Sequence, residues 1–230
     1  MAKIAKMVNG ERVEIGEVTS EFIENLGKPR ICVCGVNDPK HTQGSDVYTV
    51  PVVGDIRAYI RYEIAGDLLE MVQNDRQCNM TGTVVVTHLV ADYFGLDMCK
   101  AFADGIEAME DDGIEVKGMM NFMADMRGIS LPFDPPANQP LVVRCSANEG
   151  QYGAGVLANH KFMEGLHKEY GDFYIIPASV HEIIIVPYSF MDDTEELMAM
   201  VKQVNATVIE EGDVLSDQLL TYDSKGLHVV

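Results

Sequence analysis

The chain has 230 residues, 47% of them hydrophobic and 23% charged, and its 36 acidic against 17 basic side chains give a formal net charge of −19. That length buries roughly 70–75% of the unfolded surface without staples, and the composition excludes a disordered or fibrous protein. The charge excludes unassisted nucleic-acid binding, which rests on basic groups neutralising phosphates. No run approaches the ~20 apolar residues of a membrane span and no apolar stretch follows Lys3 and Lys6, which predicts neither membrane insertion nor secretion.

In chain order, Ile4 to Val8 and Arg12 to Ile15 flank Asn9-Gly10, the dipeptide that best accepts the positive φ of a two-residue turn, and so predict an opening β-hairpin. Ser20 to Leu26 reads as a short helix stopped by Gly27 and Pro29, and Arg30 to Val36 as a buried strand. Val47 to Ile64 is strand-rich, with Pro51 and Gly54 placing an edge, bend or bulge near its start. Thr83 to Thr87 is a strand. After it Leu96, Cys99, Phe102, Ala103, Ile106 and Met109 recur at helical spacing behind a cap at Asp97. Met119, Met120, Met123 and Met126 mark a further helical segment, whose flexible thioethers suit gap-filling in a core or a promiscuous surface.

Four prolines between Leu131 and Pro140 exclude helix and central strand, which makes residues 131–140 the internal sub-boundary of a single domain spanning 1–230. Beyond it come a strand from Leu141 to Cys145, a helix from Gly155 to Tyr170, strands from Asp172 to Ile176 and His181 to Val186, a helix from Asp193 to Glu210 and a strand from Gln218 to Tyr222. Asp193 and Glu196 have capping-box spacing and Gly212 ends that helix. The expected class is α+β, a mixed and largely antiparallel sheet with flanking helices.

The five cysteines are odd in number and lie in apolar contexts, which predicts reduced thiols in the cytoplasm. Cys32 and Cys34 share a strand face without a second cysteine pair, so burial is expected and zinc is not. His160, Glu164 and His167 occupy successive turns of one helix at the margin of its apolar stripe, and no metal is assigned to them. The loop from Asn148 to Gly155 joins a strand to a helix but is neither G-x-G-x-x-G nor a P-loop, and Glu149 repels anions. The stretch Pro177-Ala-Ser-Val-His-Glu-Ile-Ile-Ile-Val-Pro187 sets His181 and Glu182 at a strand mouth. Strand alternation sends Ser179 and His181 to one side and Glu182 to the other. No G-x-S-x-G elbow or orienting acid accompanies Ser179, and the spacing is not that of a helical H-E-x-x-H zinc site. The two polar residues are expected to satisfy backbone groups at the Pro177 to Val180 connection.

These segments together, Asn148 ahead of Gly153-Ala154, "FYIIPASVHEIIIVP", "MVKQVN" ending at Asn205 and "VLSDQLLTYD", resemble a bacterial domain-of-unknown-function family, family 5688. Its leucine-proline-serine-serine-isoleucine-histidine-glutamate pattern maps onto Ile176 to Glu182, its leucine-serine-aspartate onto Leu215, Ser216 and Asp217, and its upstream aspartate onto Asp55. Ala178 and Leu220 depart from that pattern. The resemblance implies one polar arrangement containing His181, Glu182, Asn205 and Asp217, with Ser179, Asp55 and Asn148 as further candidates for the same cluster, and it implies no activity or cofactor. The expected function is a non-catalytic binding domain for a protein or small-molecule ligand. The alternatives are a hydrolase or metal-dependent enzyme centred on His181 and Glu182, and an acidic nucleic-acid mimic.

Overall fold

The computed structural model describes residues 3–8, 11–17, 26–35, 38, 46–64, 83–146, 150–210 and 212–230. Strand β1 (Lys3–Val8) pairs antiparallel with β2 (Glu11–Glu17), forming the expected hairpin strands, while the Asn9-Gly10 turn lies outside the described residues. So does the expected helix at 20–26, apart from Leu26, which opens β3 (Leu26–Gly35).

Two antiparallel sheets carry the fold. In the smaller one the central β5 (Ile56–Ile64) pairs with β3 along one edge, and along the other with β4 (Thr49–Val53) and β6 (Thr83–Val85) in succession. The pairing of β4 shifts register between Pro51 and Val53, at the proline that removes a ladder donor. Helices α1 (His88–Phe94) and α2 (Met98–Asp112) follow, capped by the side chains of Thr87 and Asp97. Gly105 in α2 lets the helix lie close on this sheet, because a β-carbon there would stand 2.8 Å from Ile31 Cγ1.

The larger sheet has the order β12-β11-β9-β10-β8-β7 and contains β7 (Ile114–Gly118), β8 (Leu141–Cys145), β9 (Phe173–Ile176), β10 (Ile183–Pro187), β11 (Leu220–Asp223) and β12 (Gly226–Val229). Strands β9 and β10 form the expected hairpin. Helix α3 (Met119–Met126) has no side-chain cap of its own. Buried Gln139 from the proline-rich loop supplies one, accepting from Met120 N and donating to Asn121 Oδ1. A 3-10 segment (Gly153–Ala158), helix α4 (His160–Tyr170) and helix α5 (Thr194–Thr207) complete the described elements.

Alternation along the strands divides the apolar side chains between two faces. Ile31, Val33, Ile56, Ala58 and Ile60 of the small sheet join Val143, Phe173, Ile175, Ile183 and Ile185 of the large one in the main core, with Leu157 and Met163 between. On the far side of the large sheet, Tyr174, Ile176 and Val186 pack against Leu197 and Val201 of α5. The 3-10 segment joins the two sheets: a β-carbon on Gly155 would lie 2.3 Å from the Ile31 carbonyl oxygen, and one on Gly153 would lie 2.9 Å from Cys145 N. Helix α4 therefore starts at His160 behind the Asn159 cap, five residues later than its apolar spacing suggests. Likewise α5 ends at Thr207, before the expected stop at Gly212. Among the described residues, no helix is long and apolar enough to cross a membrane.

Candidate functional site

The connection between β9 and β10 is closed by its own hydrogen bonds. Ser179 is 3% exposed; its Oγ accepts from His181 N at 3.0 Å and Glu182 N at 3.3 Å, and its own N–H donates to the Glu182 carbonyl at 3.2 Å. Val180 ties it outward, accepting from Ala154 N and donating to the Asp213 carbonyl. His181 Nδ1 accepts from the Tyr152 backbone N–H at 3.0 Å, which leaves the neutral ring's proton on Nε2, 3.4 Å from Asp213 Oδ2. Nδ1 is thereby engaged by the backbone, while Nε2 only approaches the Asp213 carboxylate. A proton added at Nδ1 would break the bond to Tyr152, and the Ser179 hydroxyl meets the histidine backbone and not its ring, so the two do not form a nucleophile and base pair. The Glu182 carboxylate makes no hydrogen bond to any described residue, so its part in the connection is carried by its backbone.

Asp55, Asn205 and Asp217 come together elsewhere, around a serine that residue-by-residue reading passed over as a site. Ser216 is buried; its hydroxyl donates to Asp55 Oδ1 at 2.5 Å and accepts from Gln218 N, while its carbonyl accepts from Asn205 Nδ2. Asn205 also donates to Asp217 Oδ1 at 2.8 Å, and Gln218 Oε1 accepts from Asp55 N. This second group pins helix α5 and the β4–β5 turn to the segment before β11. Of the seven residues expected in one arrangement, Ser179 and His181 fall in one group and Asp55, Asn205 and Asp217 in another, both reaching the segment 213–218; the Glu182 carboxylate joins neither among the described residues, and Asn148 lies outside them.

The helical histidines also separate. His167 Nε2 meets Asp172 at 2.8 Å, Glu164 pairs with Lys168, and exposed His160 stands elsewhere. Among the described residues, no three histidine, cysteine or carboxylate groups are grouped to hold a metal.

An open groove of about 430 Å³ lies between the small sheet and α2. Ile31, Val50, Val52 and Ala58 form its sheet wall, and Met98, Phe102, Ala103 and Ile106 its helical wall. Its polar groups are few: Cys99 and His160, both exposed, and Tyr48, whose ring lies 4.8 Å from that of His88. The helical stripe read from sequence as core is thus core on one side only. Three alanines, Ala58, Ala103 and Ala158, stand where larger side chains would fill the space.

The opposite face of the small sheet holds Cys32, Cys34 and Tyr59, all buried. Burial pushes the Cys32 thiol up to about 12 against the partial opposition of Arg61, and burial followed by the charge of Asp38 does the same to Cys34. Burial raises the Tyr59 phenol as well. These are neutral, unreactive thiols at physiological pH. Cys32, Cys34, Cys99 and Cys145 are all free, and Cys78 lies outside the described residues.

Two comparisons with known proteins, one against curated proteins and one against solved structures, return no match. A family model matches residues 69–224, which span α2 and the groove's helical wall, the Ser179–His181 connection and the Ser216 cluster, while the groove's sheet wall precedes it. On that match, over more than half its length, the chain belongs to the Family of unknown function (DUF5688).

Proposed function

We propose that this protein is a non-catalytic binding domain of the reducing cytoplasm, and that its ligand is a small, largely apolar molecule held between the four-stranded sheet and α2. The observation that carries this reading is the groove. Its volume of about 430 Å³ falls in the range of small-ligand sites, roughly 300–1,000 Å³, and its walls are apolar with a few polar groups to orient a ligand. The four free cysteines support a reducing compartment. Ser179, His181 Nδ1 and Ser216 spend their hydrogen-bonding capacity on the backbone and on Asp55, which favours binding over chemistry.

Titration with the neutral fluorophore N-phenyl-1-naphthylamine tests the proposal. One saturable site per chain is expected, with affinity reduced at least tenfold by Ala103→Phe, which fills the groove from an exposed helical position. Absence of saturable binding, or equal binding to the variant, contradicts it.

A further inference from the structure

The cross-strand pairs Arg30 with Arg61, Cys32 with Tyr59 and Cys34 with Arg57 set three arginines on the sheet face opposite the groove. Two of them are accommodated. Arg30 pairs with Glu63 at 2.8 Å and with Asp112, and Arg57 donates to the Thr49 hydroxyl at 2.7 Å and the Thr49 carbonyl at 3.2 Å. Arg61 differs. Among the described residues its buried Nε has no hydrogen-bond partner and the side chain makes no ion pair, in a chain that carries 36 carboxylates.

Its guanidinium lies 4.3 Å from the centre of the Tyr152 ring. Tyr152 holds φ 57° and ψ 24°, the only positive φ of a non-glycine residue among those described, and its N–H is anchored on His181 Nδ1. Sustained strain of that kind needs surroundings that enforce it and clusters at ligand sites. Cys32, beside it on this face, brings no negative charge, because burial holds its thiol neutral. Arg61 and Tyr152 are both half-buried and so open to solvent on one side.

We propose that Arg61, backed by the ring of Tyr152, is a binding site for the oxyanion of a small ligand, a phosphate or a carboxylate. A planar guanidinium accepts either group through two parallel N–H donors, and a partly desolvated cation gains most from a countercharge that arrives with the ligand. The site is on the other side of the sheet from the groove and stands independently of the groove's function.

Thermal unfolding of the full chain, in inorganic phosphate and separately in succinate with sodium chloride at matched ionic strength as control, tests this. One of the two anions is expected to raise Tm by about 3–6 °C at tenfold excess over its Kd, and the one that half-saturates at lower concentration names the group. Arg61→Met is expected to abolish the rise while leaving the Tm in chloride unchanged or higher, since it removes an unmatched charge. Should Arg61→Met not fold, Arg61→Lys keeps the charge without the fork and is expected to need at least ten times more anion for the same rise. No rise with either anion, or an equal response in the variants, overturns the proposal.

Discussion

The connection from Pro177 to Glu182 and the groove beside α2 are opposite solutions to the same chemistry of exposed groups. In the connection, polar atoms are numerous and those of Ser179 and His181 are used by the backbone: the Ser179 hydroxyl serves two backbone donors and His181 Nδ1 holds the Tyr152 N–H. In the groove, polar atoms are scarce and the described residues leave apolar surface uncovered between α2 and the sheet. The contrast teaches that a conspicuous polar motif can be complete in itself, while capacity for a ligand resides where packing stops short.

If the connection is closed and the groove open, perturbing closed regions costs stability and perturbing the groove costs little. The largest effect is expected at high pH. Cys32 is raised from 9.0 to about 12, so the stability held by its neutral thiol is whole below pH 9 and is lost as pH rises through 12, in total about 4 kcal/mol. Denaturant unfolding between pH 8 and 11 captures about 3 kcal/mol of this fall, and the Cys32→Ala variant is expected to show a flatter profile. Next comes Gly155→Ala, whose methyl would collide with the Ile31 carbonyl where the two sheets join; a loss of about 3 kcal/mol is expected. Ser179→Ala and His181→Ala each strand buried donors and are expected to cost about 1–3 kcal/mol. Glu182→Ala, whose carboxylate has no described partner, and Ala103→Phe in the groove are expected to stay within about 0.5 kcal/mol of the parent. A Glu182→Ala loss as large as that of His181→Ala would break the comparison on its closed side.

Much of the fold was legible because local signals and packing agree there. Leu141–Cys145 is a run of apolar residues bounded by Pro140, and it forms β8 with the bounds its sequence suggests. The Asp97 and Asp193 caps both accept from backbone N–H groups as their spacing implies. Other elements were hidden for physical reasons. Strand β7 follows α2 directly, and its Ile114 and Val116 are too few to announce a strand; pairing with β8 makes it one. Strand β12 is formed by partnership with β11 around the Asp223 to Gly226 turn. The 3-10 segment carries apolar residues that extend the helical stripe of α4, so only the Asn159 cap marks the true start.

Of the candidate site, the tie made by His181 followed from its position at a strand mouth; the one made by Ser179 was not foreseen, and the same reasoning gave a part to the Glu182 side chain, which has no partner among the described residues. The division of Ser179 and His181 from Asp55, Asn205 and Asp217 is tertiary and has no local signature. The groove depends on how closely α2 approaches the sheet, which Gly105 sets and no periodicity reveals.

The groove itself is most directly tested at Cys99, the exposed cysteine in its lining. The rate of its alkylation by N-ethylmaleimide, followed at the level of individual peptides by mass spectrometry, should be compared with and without saturating N-phenyl-1-naphthylamine. Ligand seated between the sheet and α2 is predicted to slow labelling of Cys99 at least fivefold, in wild type and in Glu182→Ala alike. An unchanged rate at saturation would place the ligand elsewhere and contradict the account.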